Sequence, residues 1–169
     1  MGNNERNNYV KEAIIRATIG LLKERNLSEI SISDITDKAD VSRNSFYRNF
    51  SDKADILREH IRKLLEDWDY EYNHTRKSDS NAEMYGSFFK YLKDNSDFFL
   101  LLRERELFYL FKEVYLEKYG PKDDNKNIEA YIISFIQNGI LGWVDEWINR
   151  GMEESADSMA RLLSENGMK

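Results

Sequence analysis

The chain has 169 residues, a net charge of −6 and no cysteine, which excludes disulfides and thiolate chemistry. No apolar run approaches the roughly 20 residues that a membrane-spanning helix needs, and the polar opening MGNNERNN lacks the basic-then-apolar pattern of a secretion signal. One proline and eight glycines predict helices almost throughout, in a cytoplasmic protein of one or two small domains.

Residues 1–7 are polar and are expected to fray. A first helix is predicted from about Asn8 to Arg25, with Ala13, Ile14, Ala17, Leu21 and Leu22 facing inward. Asn26 is expected to end it in a left-handed turn, and Leu27 and Ile30 to fold the next segment onto the core. Ser31 and Asp34 then have the spacing of a capping box, and Ile32, Ile35 and Ala39 give the following helix one apolar side. Asp40 stands where the chain must turn, and Asp tolerates a left-handed backbone. Ser42 is a good N-cap for a second short helix, Arg43 to Phe50. On it, Phe46 and Phe50 are four apart and share a buried face. Arg43, Asn44, Tyr47 and Arg48 point elsewhere. Ser51 and Asp52 restart a helix whose first turn holds Lys53.

A short helix with two arginines, an Asn and a Tyr outside, braced by a capped helix before it, reads as a helix-turn-helix. The second helix of such a unit enters the major groove of double-stranded DNA. The candidate DNA contacts are Ser31, Ser42, Arg43, Asn44, Ser45, Tyr47, Arg48 and Lys53. Arg43 and Asn44 are the expected base readers, and Tyr47 and Lys53 the expected phosphate contacts. The acidic balance does not oppose this. Residues 1–60 carry ten charges of each sign, so the surplus lies beyond them, and local charge governs phosphate binding.

The string VSRNSFYRNFSDKADIL closely resembles the DNA-binding domain of the TetR/AcrR family of repressors. Val41-Ser42, the pair Phe46-Tyr47, Phe50, Lys53 and Ile56-Leu57 carry the resemblance. The family usually has Gly where Asp40 and Asn26 stand, and often His where Asn49 stands. The resemblance implies an all-α protein: an N-terminal three-helix domain, residues 1–52, joined by a long connecting helix to a helical dimerisation and effector domain, residues 53–169. It implies a homodimer on a palindromic operator, released by a small hydrophobic or aromatic effector.

The connecting helix is predicted from Asp52 to about Tyr72, with Ile56, Leu57, His60, Ile61, Leu64, Leu65 and Trp68 at helical spacing. A polar loop, Asn73 to Asn81, follows. Further helices are expected over Ala82–Lys93, from Ser96 as a cap, over Leu107–Tyr119 up to Gly120-Pro121, over Asn127–Arg150 with Gly151 closing it, and from Ser155. Only Tyr9, Phe46, Tyr47 and Phe50 of the twenty-two aromatics precede residue 60. The rest can line a cavity or close a core, and spacing alone does not separate these. The candidate effector residues are His60, Tyr85, Phe88, Phe89, Phe108, Tyr109, Tyr131 and Trp143.

Gly139 and Gly142 lie three apart on a helix that otherwise buries large residues, at a cost of about 1 kcal/mol each relative to Ala. Close approach of another helix offsets that cost. By the resemblance, the last two helices pair with those of a second subunit, and Gly139, Gly142, Trp143, Met159 and Leu162 are the expected dimer contacts. His60 and His74 have no metal-ligand spacing, and no nucleophile elbow, P-loop or dinucleotide fingerprint occurs. Neither an enzyme, a metal site nor a cofactor is expected. The alternative function keeps the DNA-binding half but leaves the C-terminal half to dimerise or sense a protein partner, without a small ligand.

Overall fold

The computed structural model describes residues 3–78 and 80–166. Among them are nine α-helices, a single 3-10 turn and no strand. The chain divides into two compact units, Met1–Ile61 and Arg62–Lys169.

The first unit opens with α1 (Asn3–Leu22), which begins five residues before the expected start. Its buried face holds Ile14, Ala17, Leu21 and Leu22. Thr18 is buried too, and its hydroxyl donates to the Ile14 carbonyl at 2.8 Å. This local bond removes the cost of an unpaired buried hydroxyl. Asn26 is not left-handed. At φ −70° it starts a 3-10 turn, Leu27–Glu29, and its own N–H donates to the Glu29 carboxylate at 2.9 Å. The reversal that Gly serves elsewhere is made here by a capped turn.

Helix α2 (Ile32–Ala39) carries the expected capping box. Ser31 Oγ accepts from the Asp34 N–H at 3.1 Å, and Asp34 accepts from the Ser31 N–H at 2.9 Å. These bonds, and Arg25 beside it, hold the Asp34 carboxyl below its usual range. Asp40 ends α2 at φ 53°, in the left-handed region. Helix α3 (Arg43–Asn49) follows, then α4 (Lys53–Thr75). Asp52 caps α4 by accepting from the Asp55 N–H at 2.7 Å. Ile56, Leu57 and Ile61 of α4 are completely buried, with Ile35 and Phe46 equally so in α2 and α3. The division between the units therefore falls inside α4, later than residue 52, because its first turns complete the N-terminal core.

The second unit contains the rest of α4, α5 (Asn81–Asp94), α6 (Ser96–Glu104), α7 (Phe108–Tyr119), α8 (Asn127–Asn149) and α9 (Ala156–Asn166). Helix α4 runs three residues beyond Tyr72, into the expected loop. Ser80 caps α5, accepting from the Glu83 N–H at 3.2 Å. Ser96 is not a cap: Asn95 holds that position and turns its amide back to the Tyr91 carbonyl at 2.9 Å. Glycine is required at 120, because a Cβ there would clash with the Leu116 carbonyl. Gly151 has φ 77° as a C-terminal reversal demands. Phe89, Phe99, Phe111, Val144, Trp147 and Ile148 form the core. Helix α9 lies along α5, where Gly86 and Ala160 face each other at ordinary contact distance. No helix among the described residues is long and apolar enough to cross a membrane.

Candidate nucleic-acid interface and ligand cavity

Helix α3 is short and two-faced. Phe46 and Phe50 are buried, their rings 6.1 Å apart, and fasten it to the core. Ser42 starts it, with Oγ accepting from the Ser45 N–H at 3.1 Å and lying 3.0 Å from Ser45 Oγ. Arg43, Asn44, Tyr47 and Arg48 are all exposed. Tyr47, 60 % exposed, stands edge-on to Phe46 at 5.3 Å, so its ring direction is set from below. The Arg43 guanidinium donates to Ser33 Oγ on α2. Asn49 turns inward along its own helix, its amide donating to the Ser45 carbonyl at 2.8 Å.

Lys53 differs from the expectation. Its ammonium donates to the carbonyls of Leu27 and Ile30, both at 2.6 Å. It ties α4 to the segment before α2, with one N–H left for any other acceptor. Ser31 is exposed; its Oγ accepts in the capping box and its O–H is left to donate elsewhere.

The aromatic candidates do not converge. His60 belongs to the first unit. Phe89 packs edge-on to Trp147 at 5.5 Å, and Phe108 stacks on Phe111 at 5.3 Å, so both are core. Tyr109 and Tyr131 are turned to the surface, and Trp143 is half-buried in a separate groove with Met159 and Leu162. Phe108 and Tyr109 also border an open surface groove with Arg103 and Lys112, and of the eight candidates Tyr85 and Phe88 line a cavity within the second unit.

That cavity has a volume of about 210 Å³. Helix α4 contributes Trp68, Asp69, Tyr72 and Asn73, α5 adds Met84 beside Tyr85 and Phe88, α7 adds Tyr115 and Tyr119, and α8 adds Gln137 and Ile140. Trp68 and Tyr72 stack at 5.8 Å, and Trp68 lies 4.8 Å from Phe88. The polar tips are bonded in an ordered way. Trp68 Nε1 donates to Ser87 Oγ at 3.1 Å, and the Tyr115 hydroxyl to Gln137 Oε1 at 2.7 Å. The Tyr119 hydroxyl donates to Asp69 Oδ1 at 3.0 Å, while Lys118 Nζ sits 2.9 Å from Asp69 Oδ2. Burial, followed by the Asp69 carboxylate, pushes the Tyr119 phenol far above its ordinary value. Burial does the same to Tyr115, so both phenols act as neutral donors near pH 7. Sequence reasoning passed over Trp68, Asp69, Tyr72, Tyr115 and Tyr119 as site residues. The signal available was their i, i+4 spacing, Trp68 to Tyr72 and Tyr115 to Tyr119, on two helices.

On the opposite side of α8, Ile128, Tyr131, Ile132 and Phe135 are 54–75 % exposed, and a Cβ at Gly139 or Gly142 would meet open space. These residues share one stripe of the helix. Met159 is only 6 % exposed, at the floor of the groove it shares with Gly142, Trp143 and Leu162. Among the described residues no group of three His, Asp or Glu side chains is placed to hold a metal ion.

Two family models match the chain. The one described as bacterial regulatory proteins, tetR family, covers residues 14–60, and a transcriptional regulator C-terminal region covers residues 79–167. No curated protein matches it.

Proposed function

From the premise that this chain belongs to the tetR family of bacterial transcriptional regulators, we propose that it is a homodimeric repressor. It binds a palindromic operator through α3 and leaves it when a small hydrophobic or aromatic molecule fills the 210 Å³ cavity. The observation that carries the reading is the division of α3: Phe46 and Phe50 are buried, and Arg43, Asn44, Tyr47 and Arg48 are presented to solvent. Arg43 and Asn44 read base edges, and Tyr47 and Arg48 hold phosphates.

The apolar stripe of α8 supports the dimer. Four large side chains left in water, continued by two glycines with open space above them, fit a second copy of the same helix. A dimer sets two recognition helices on half-sites about 34–36 Å apart. Helix α4 supports the switch, since its first turns belong to the N-terminal core and Trp68, Asp69, Tyr72 and Asn73 further along it line the cavity. A ligand that prefers the arrangement unable to bind DNA, by about 1–3 kcal/mol, lowers operator affinity roughly 5–150-fold.

The test is selection of duplexes from a random library by the purified protein, followed by titration of the selected site. The triple variant Arg43→Ala, Asn44→Ala, Arg48→Ala is expected to lose the selected sequence. Retention of both affinity and preference would sink the assignment of α3.

A further inference from the structure

The cavity has an electrical sign. Its walls are six aromatic rings, from Trp68, Tyr72, Tyr85, Phe88, Tyr115 and Tyr119, and its one ionised lining group is the Asp69 carboxylate. More negative charge stands close by on α4. Glu66 acts on the phenol of the lining residue Tyr119. Against these stand the Arg76 guanidinium, 5.9 Å from the centre of the Tyr72 ring, and Lys118. Its ammonium lies 2.9 Å from Asp69 Oδ2 and 5.6 Å from the centre of the Tyr119 ring. A cation thus already rests where carboxylate and ring face coincide, the two features that attract cations to aromatic sites.

Resting on the reading of this cavity as the effector site, we propose that its ligand is a cationic aromatic amine, and that the Lys118 ammonium holds the place of the ligand's charge in the empty chain. Size agrees with a single substituted ring or a small fused pair, since a cavity of roughly 150 Å³ accepts benzene and this one measures about 210 Å³. An anionic ligand would have to draw Lys118 away and leave Asp69 unpaired. An amine replaces Lys118 charge for charge. Lys118 is already 30 % exposed and reaches water by rotating its own stem. The Tyr85 hydroxyl, with no hydrogen bond among the described residues, is left to meet a polar substituent on the ring.

The experiment is calorimetric titration of the full chain at pH 7 with three probes of similar shape: phenethylamine, ethylbenzene and 3-phenylpropionate. Phenethylamine is expected to bind roughly tenfold more tightly than the other two. Lys118→Met, which removes the internal competitor, should strengthen amine binding. Asp69→Asn should erase the preference for the amine while ethylbenzene still binds. Equal binding of all three probes, or tightest binding of the acid, would overturn the charge assignment and leave the effector cavity standing. Weaker amine binding by Lys118→Met would do the same. If no probe binds either the parent chain or Lys118→Met, the effector reading falls with it.

Discussion

The two units solve opposite problems with the same kind of helix. The N-terminal unit closes its core completely around Ile35, Phe46, Ile56 and Leu57 and leaves the proposed DNA contacts outside, on the seven residues of α3. The C-terminal unit is arranged the other way: its rings leave a void between α4, α5, α7 and α8. In the first, the buried residues and the proposed DNA contacts are different residues. In the second, Trp68, Phe88 and Tyr115 belong to the buried set and to the cavity wall at once. A surface site is defined by side chains that packing leaves over, whereas a cavity is defined by atoms that packing leaves out.

The sharpest way to break this contrast lies within α3. Phe46→Ala should cost about 3–5 kcal/mol of stability, whereas Tyr47→Ala, at an exposed site, should stay within about 0.5 kcal/mol of the parent and yet bind the operator less well. Urea unfolding beside operator titration measures both. Equal destabilisation by the two changes would show that α3 does not divide its faces as described.

The outer stripe of α8 tests whether the C-terminal unit also works on its surface. Replacing Gly139 and Gly142 with Leu fills space that is open within one subunit and adds helix propensity, about 0.8 kcal/mol at each position. The subunit should therefore keep its fold while the dimer is lost, giving a monomer in ultracentrifugation. A tight dimer in the double variant would place the interface elsewhere.

Lys53→Met should cost about 1–3 kcal/mol, because two backbone carbonyls lose a charged donor. A pure phosphate contact would instead leave unfolding unchanged and flatten only the salt dependence of DNA binding. Smallest is the α2 cap: Ser31→Ala should cost about 1 kcal/mol. Its carboxylate partner gives a pH signature. The folded pKa of Asp34 lies below the ordinary carboxyl value of 3.8, so its contribution is fully present above 3.8 and fades as pH falls through the folded value. An acid titration of Asp34→Asn should have lost that phase, and Ser31→Ala, which keeps the backbone N–H bonded to Asp34, should retain most of it.

Much of the first unit was legible because its signals are local. Ser31 with Asp34, Asp40 at its turn, and Phe46 with Phe50 each speak within a few residues, and each stands as expected. Lys53 was not legible in this way, since its acceptors lie 26 and 23 positions earlier in the chain. Asn26 was read from its type, but a nearby Glu29 offered its N–H a partner without any left-handed residue. In the second unit the helices could be read and the cavity could not. Phe89 and Phe88 are adjacent and equally apolar, yet one packs on Trp147 and the other borders the void. Which ring is next to empty space depends on how four helices meet. Met159 poses a related problem: an apolar face on α9 does not say whether it packs within its own subunit or on another.

The bond from Arg43 to Ser33 gives the proposed reader a place to rest. An arginine carried onto a mismatched base is penalised when its donors find no acceptor. Arg43 would have a hydroxyl to fall back on, at the cost of turning its side chain. Wrong sites would then be punished less at this base than a bare guanidinium would punish them. The protein would trade some fidelity at one position for an easier passage along DNA that is not its operator.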